Sequence, residues 1–204
     1  MIRADRDEAT LTLTIDRPDK ANALTAGMLE ALGDHVRGAG PETGLLILTG
    51  AGDAAFSAGA DLDEARAGLA TSPLWERLSG AVAAAPCLTV AALNGTLAGG
   101  AFGMALACDL RLAVPAATFF YPVARLGFLP QPSDPARLAA LVGPARAALI
   151  LAAGARLDAS EALAFGLVDR VVPDPRAAAR DLAVGTPAHV AAIKAMIPKG
   201  PASP

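Results

Sequence analysis

At 204 residues, with 53% hydrophobic against 18% charged residues, the chain has material for one sizeable core and is not of disordered composition. A net charge of −3, with no basic stripe interleaved with aromatics, excludes nucleic acid as the expected partner. Charged or helix-breaking residues interrupt every apolar stretch before about 18 residues, and MIRADRDEATLTL lacks a leader's apolar centre, so a cytoplasmic protein without a membrane segment is expected.

Thr10 to Ile15 (TLTLTI) alternates threonine with apolar residues, the period of a half-buried strand, and Arg17-Pro18-Asp19-Lys20 ends it. Thr25 is placed as an N-cap with Leu24 and Leu29 as a hydrophobic staple. Met28, Leu29, Leu32 and Val36 then share one face, which predicts an amphipathic helix from Thr25 to about Ala39. Gly44 to Thr49 (GLLILT) has the continuous apolar character of a buried parallel strand. GAGDAAFSAGADL, residues 50–62, reads as a glycine-rich loop. A helix over Trp75–Ala85 and the strand CLTVAALNG follow.

A helix opening at Gly99-Gly100 leads to the strand LRLAV and the loop FFYPVARLGFLPQPSD. Asp134-Pro135 suits the cap and first turn of another helix. Asp158 with Glu161 forms a capping box that Gly166 closes, GLVDRVVP is a last strand, and PAHVAAIKAMI is a final helix before the tail PKGPASP. Strands alternating with helices make the fold class α/β with a parallel sheet. The expected division is a core of residues 1–174 and a short helical C-terminal segment and tail, 175–204. Cys87 and Cys108 sit in apolar surroundings as inert small residues, and neither His35 nor His189 has partners at metal-ligand spacing, so no metal is expected.

Two segments carry the chemistry: FSAGADL (56–62) and NGTLAGGA (94–101). Each follows a strand and leads toward a helix, and their small residues let a ligand approach the backbone. Free N–H groups there suit a developing negative charge, and two from separate loops would clamp one oxygen as an oxyanion hole. Glycine is unfavourable in a helix by about 1 kcal/mol. Gly99 and Gly100 are accounted for if a side chain at either would block that approach.

FSAGADL, NGTLAGGAFGMALACDLRLA, YPVARLGFLP and GLVDRVVP, with RPDKANALT near the start, resemble the signature blocks of the enoyl-CoA hydratase/isomerase (crotonase) superfamily in order and spacing. The resemblance implies a crotonase-like (ClpP/crotonase) superhelix of strand-strand-helix units. It implies an acyl thioester whose carbonyl lies between the N–H groups of Ala60 and Gly100. Ala58, Asp61, Leu62, Asp63 and Gly99 would line the CoA end, and Lys20 would approach its phosphates. No cofactor is implied beyond coenzyme A as part of the substrate. Family members commonly continue further, with helices that close the acyl pocket and pack a trimer. A more open site is therefore expected, or one completed in a homotrimer or hetero-complex.

The two glutamates of family hydratases match Gly103 and Val123, neither of which transfers protons. Family isomerases generally keep the second. Gln131 lies near where relatives with dehalogenase or ring-closing activity place an aspartate, and it orients water or a carboxylate without being a base. Tyr121 reads equally as a hydrogen-bond donor in the pocket or as a core aromatic. Arg125 reads as a surface salt bridge, Asp134 as a helix cap, Asp61 as a loop cap, and Lys194 as a solvated lysine.

These residues favour a decarboxylase or related lyase acting on an acyl-CoA or acyl-carrier-protein thioester, because loss of CO₂ creates the enolate without a protein base. GGAFGM and TFFYPVARLG are similar to methylmalonyl-CoA decarboxylases of this superfamily, which keep a glutamate where Gly103 stands. One alternative is a catalytically degenerate accessory protein of a specialised pathway that binds a thioester or partner enzyme. Another is a hydratase using non-standard residues. The alanine-, arginine- and proline-rich composition suits a high-GC bacterium.

Overall fold

The structure, a computed structural model, describes residues 1–197, so the tail PKGPASP lies outside the described residues. The chain begins with a hairpin, β1 (Ile2–Asp7) antiparallel to β2 (Thr10–Ile15). The sequence reading missed β1 because IRADRD is almost wholly charged or exposed, as befits an edge strand that must not pair with another chain. α1 (Ala26–Arg37) is capped as expected, with Thr25 Oγ1 accepting the Met28 N–H at 3.2 Å.

From there strands alternate between two sheets. β3 (Leu45–Gly50), β5 (Leu88–Leu93) and β7 (Leu110–Ala113) extend the larger sheet, in the order β1-β2-β3-β5-β7-β10, with β10 being Arg170–Val171. Each is followed by a three-residue strand of the smaller sheet: β4 (Ala55–Ser57), β6 (Thr96–Ala98) and β8 (Thr118–Phe120), joined by β9 (Arg156–Asp158). Because the chain crosses from one sheet to the other after each long strand, it winds as the expected superhelix. The three short strands lay inside segments read as loops. Three residues are too few to show a period of two.

β2 corrects the half-buried expectation, since Thr12 and Thr14 are as buried as Leu11 and Leu13. Leu11, Leu13, Leu46 and Leu48 face the main core beneath α1 and α3 (Leu74–Ala84). The opposite face of the sheet carries Leu45, Ile47, Val90, Ala92 and Leu112, covered by Ala179. That residue belongs to a helix of Pro175–Arg180, so part of the segment after residue 174 packs directly on the large sheet. Among the described residues no helix is long and apolar enough to cross a membrane.

α2 (Leu62–Arg66) follows β4, and α4 (Ala101–Ala107) runs through the interior with all seven residues buried. α5 (Val123–Leu126) is a single turn inside a segment expected to be loop, and α6 (Asp134–Val142) packs on α4. Later helices include α7 (Pro144–Leu151) and α8 (Ala159–Phe165), whose Asp158–Glu161 capping box and left-handed Gly166 end are as read. α9 is Pro175–Arg180 and α10 is Pro187–Met196. Lys194 corrects an expectation. Its Nζ donates to the Cys87 carbonyl at 2.8 Å and pairs with Asp109 at 2.6 Å, so it fastens α10 to the start of β5 rather than standing in solvent.

Candidate active site

Asn22 explains why the first glycine loop has its shape. Its side chain donates to the Ala51 and Ala55 carbonyls while its own N–H bonds the Arg17 carbonyl, and Ala21 and Asn22 both adopt positive φ. The segment 21–24 is thereby presented to the loop. The Ala58 N–H reaches the Ala21 carbonyl, the Leu24 N–H the Gly59 carbonyl, and the Asp61 N–H the Leu24 carbonyl. In that parallel bridge the amide of Ala60 faces away from Leu24. It has no protein acceptor among the described residues.

The second loop arrives against the first. Gly99 donates to the Phe120 carbonyl, whereas Gly100 N–H likewise finds no protein acceptor among the described residues. Gly59 and Gly99 hold φ of +93° and +57°. A Cβ on Gly59 would lie 3.0 Å from the Ala98 carbonyl oxygen and 3.4 Å from the Gly100 nitrogen. Gly59 is thus required twice over, by left-handed backbone and by contact between the loops, and Gly99 by its left-handed backbone. A Cβ on Gly100 would come within 3.0 Å of the Trp75 indole, which lies across it and donates Nε1–H to the Leu69 carbonyl at 2.8 Å.

A pocket of about 160 Å³ opens at this junction. Ala58, Ala60, Leu62, Gly99 and Gly100 line it together with Tyr121, Val123 and Gln131, so the structure brings seven of the ten expected site residues together. Lys20, Asp61 and Asp63 lie outside the lining. Asp61 caps α2 through the Asp63 and Glu64 amides and pairs with Arg17 at 2.7 Å. The Arg17 guanidinium holds its carboxyl below the usual range. Asp63 is an exposed ion-pair partner of Arg66, and Lys20 is exposed on the Pro18–Lys20 turn that leads into the bracing segment.

The wall around Tyr121 holds what the sequence reading misassigned. Asp134 is not a side-chain cap: Ser133 occupies the N-cap position, and the Asp134 carboxyl is fully buried. Tyr121 donates its hydroxyl to Asp134 Oδ2 at 2.8 Å, while Oδ1 has no hydrogen-bond partner. Burial chiefly raises the acid to about 6, although the Tyr121 bond and Arg137 oppose the rise. Burial and the neighbouring carboxyl push the Tyr121 phenol far above its ordinary value. The ring of Tyr121 stacks on Phe102 with centroids 5.3 Å apart.

Glu76, a further residue missed, accepts the Ser133 N–H at 3.2 Å and the Ser133 hydroxyl, tying this wall to α3. Gln131 Nε2 donates to the Ala70 carbonyl at 3.3 Å. Arg125 corrects another expectation, since its guanidinium meets the Gly154 carbonyl at 3.4 Å and no carboxylate among the described residues. The sequence signal for Asp134 was Gly103. A Cβ there would stand 2.9 Å from Asp134 Oδ1, so the glycine leaves the room that the carboxyl fills.

The profile of the enoyl-CoA hydratase/isomerase family matches residues 5–200. The chain belongs to that family. Its resemblance extends to YngF of Bacillus subtilis strain 168, named as an enoyl-CoA hydratase/isomerase, at 36% identity over 81% of this chain and 66% of that protein. Carnitinyl-CoA dehydratase of Salmonella arizonae is 36% identical over 95% of this chain and 78% of its own length. The chain therefore spans about two thirds to four fifths of the length of these family members. A crystal structure of enoyl-CoA hydratase from Bacillus anthracis superposes with a TM-score of 0.88 at 32% identity, covering 95% of this chain and 81% of that one. The crotonase-like fold expected from the signature blocks is thus the observed one.

Proposed function

We propose that this protein is a thioester lyase: it holds the carbonyl of an acyl-CoA or acyl-carrier thioester between the amides of Ala60 and Gly100 and releases CO₂ from the acyl group. The observation that carries the reading is a pair of unpaired amides meeting at a pocket with no carboxylate in its lining. Removal of an α-proton needs a base at the substrate. Breaking the bond to a β-carboxylate needs none, because its electron pair flows toward the thioester carbonyl and the developing oxyanion is what two N–H donors stabilise. Apolar Val123, Leu126, Phe128 and Trp75 would surround the departing carboxylate. Lys20, exposed beside the first loop, is the candidate for the phosphates of the carrier group.

Malonyl-, methylmalonyl- and glutaconyl-type thioesters incubated with the pure protein should release CO₂ from at least one. An alkyl-CoA thioether, which lacks the carbonyl oxygen, should bind about tenfold more weakly than the matching thioester, the worth of one or two hydrogen bonds. Equal binding would remove the oxyanion hole. Thioester binding without CO₂ from any of the three would leave an accessory protein that holds a thioester without turnover, a reading the carboxylate-free lining also favours.

A further inference from the structure

We propose that Asp134 is the proton reservoir of Tyr121, and that its protonation state decides whether the Tyr121 O–H points at Asp134 or into the pocket. Tyr121 lines the pocket and Asp134 lies behind it, buried, with one oxygen bonded to the phenol and the other without a partner. Such an arrangement has two states. With Asp134 ionised, the phenol must donate to it, because a buried carboxylate left unbonded is far costlier than a neutral acid. With Asp134 protonated, the acid becomes a donor to the phenol oxygen and the tyrosine hydrogen is free to turn to a ligand. The Gln131 N–H, 3.5 Å from that oxygen, reinforces its role as acceptor.

The charged and titratable groups around Asp134 are Tyr121, Glu76 on α3 and Arg137 on its own helix, while α4 presents only Gly103. Glu76 is engaged by Ser133, and Arg137 donates to Ser79 Oγ at 2.8 Å. Neither bonds the free oxygen of Asp134. The acid is thus left to exchange its proton with the tyrosine and titrates near 6, within the range where a small pH change reverses it.

Resting on the thioester reading above, the pair has a defined task. After CO₂ leaves, the α-carbon of the enolate takes the Tyr121 proton as the enolate electron pair forms the C–H bond. The Asp134 acid proton passes to the phenol oxygen in the same step, and the resulting carboxylate recovers its proton through the Tyr121 hydroxyl from water that enters the pocket once product has left. The phenol is too weak an acid to remain ionised, so the transfer from Asp134 accompanies the first. Tyr121 is the catalytic residue in this scheme and Asp134 the positioning residue behind it.

Two measurements separate the pair from the thioester reading. Without ligand, carboxyl ¹³C NMR of protein labelled at aspartate should show one acid titrating near 6, absent from Asp134→Asn and moved higher in Tyr121→Phe. If every aspartate titrates in the ordinary acid range, the reservoir is overturned whatever the pocket binds. With acetyl-CoA, calorimetry should find affinity falling about three- to tenfold as pH rises through 6, the worth of one hydrogen bond, with a flat profile in both variants. A flat profile in the wild type overturns the coupling of Tyr121 to the pocket. Absence of acetyl-CoA binding at every pH counts against the thioester reading, and the ligand-free titration then decides the reservoir alone.

Discussion

The two walls of the pocket are built on different principles. One is backbone: two loops whose glycines turn left-handed and whose amides at Ala60 and Gly100 stand free. The other is side chain: Tyr121 on Asp134, Gln131 on the Ala70 carbonyl, and Ser133 on Glu76. The first wall tolerates almost no change in shape, because a Cβ on Gly59 would press on the Ala98 carbonyl and a neighbouring amide. The second permits exchange of parts. An acid can come from α6 where α4 supplies only a glycine. A family can therefore keep its binding geometry while its proton chemistry drifts.

That contrast assigns the largest effect to the backbone wall. Ala60→Pro removes an N–H that bonds nothing in the protein, since the bridge to Leu24 uses the Gly59 carbonyl and the Asp61 amide. Turnover of whichever thioester is decarboxylated should fall about 10²–10³-fold, the usual consequence of losing one oxyanion donor. A thermal melt within a few degrees of wild type would show that the loop survives. Unchanged turnover in a folded variant would place the oxyanion elsewhere.

What could be read from the sequence follows the same division. Gly59 and Gly99 announce themselves, because a residue type tolerated in left-handed backbone marks the backbone's shape directly, and Gly100 does so because the Trp75 indole leaves no room for a Cβ. Long strands such as Leu45–Gly50 are legible by their continuous apolar run, and helices such as Ala26–Arg37 by period and cap. Asp134 was not legible. A carboxyl in the first turn of a helix serves equally to cap it or to turn inward, and only the vacancy at Gly103, on another helix, decides between them. Lys194 was illegible for the same reason, since its partners Cys87 and Asp109 are brought to it by the fold alone.

The side-chain wall should show itself next in the pH dependence of stability. Asp134 binds its proton more tightly folded, near 6, than unfolded, near the ordinary 3.8. Between those values the folded state holds more protons, so stability is lost as pH rises from about 4 to about 6, by up to about 3 kcal/mol, and is level in this respect above. In Asp134→Asn this slope should vanish. The amide brings its own constant penalty, so the diagnostic is the difference in slope between urea melts at pH 4.5 and 7.5 rather than stability at either pH. Parallel slopes would mean that the carboxyl is not buried as described.

The smallest effect is the most telling, because its sign depends on a single neighbour. Replacing a helical glycine by alanine ordinarily stabilises by up to about 1 kcal/mol, but overpacking a core costs about 1–3 kcal/mol. At Gly103 the two compete: the new Cβ would meet Asp134 Oδ1 at 2.9 Å, and that carboxyl is pinned on its other side by Tyr121. Gly103→Ala should therefore destabilise the wild-type protein by about 1 kcal/mol yet stabilise an Asp134→Ala protein, where the obstruction is gone. Calorimetric melts of the four proteins in this cycle would give a coupling of about 1–2 kcal/mol. Additive effects would mean that the glycine was not making room for the acid. A Gly103→Glu variant meant to restore a glutamate should likewise fold only when Asp134 is cut back, because one volume cannot hold both carboxyls.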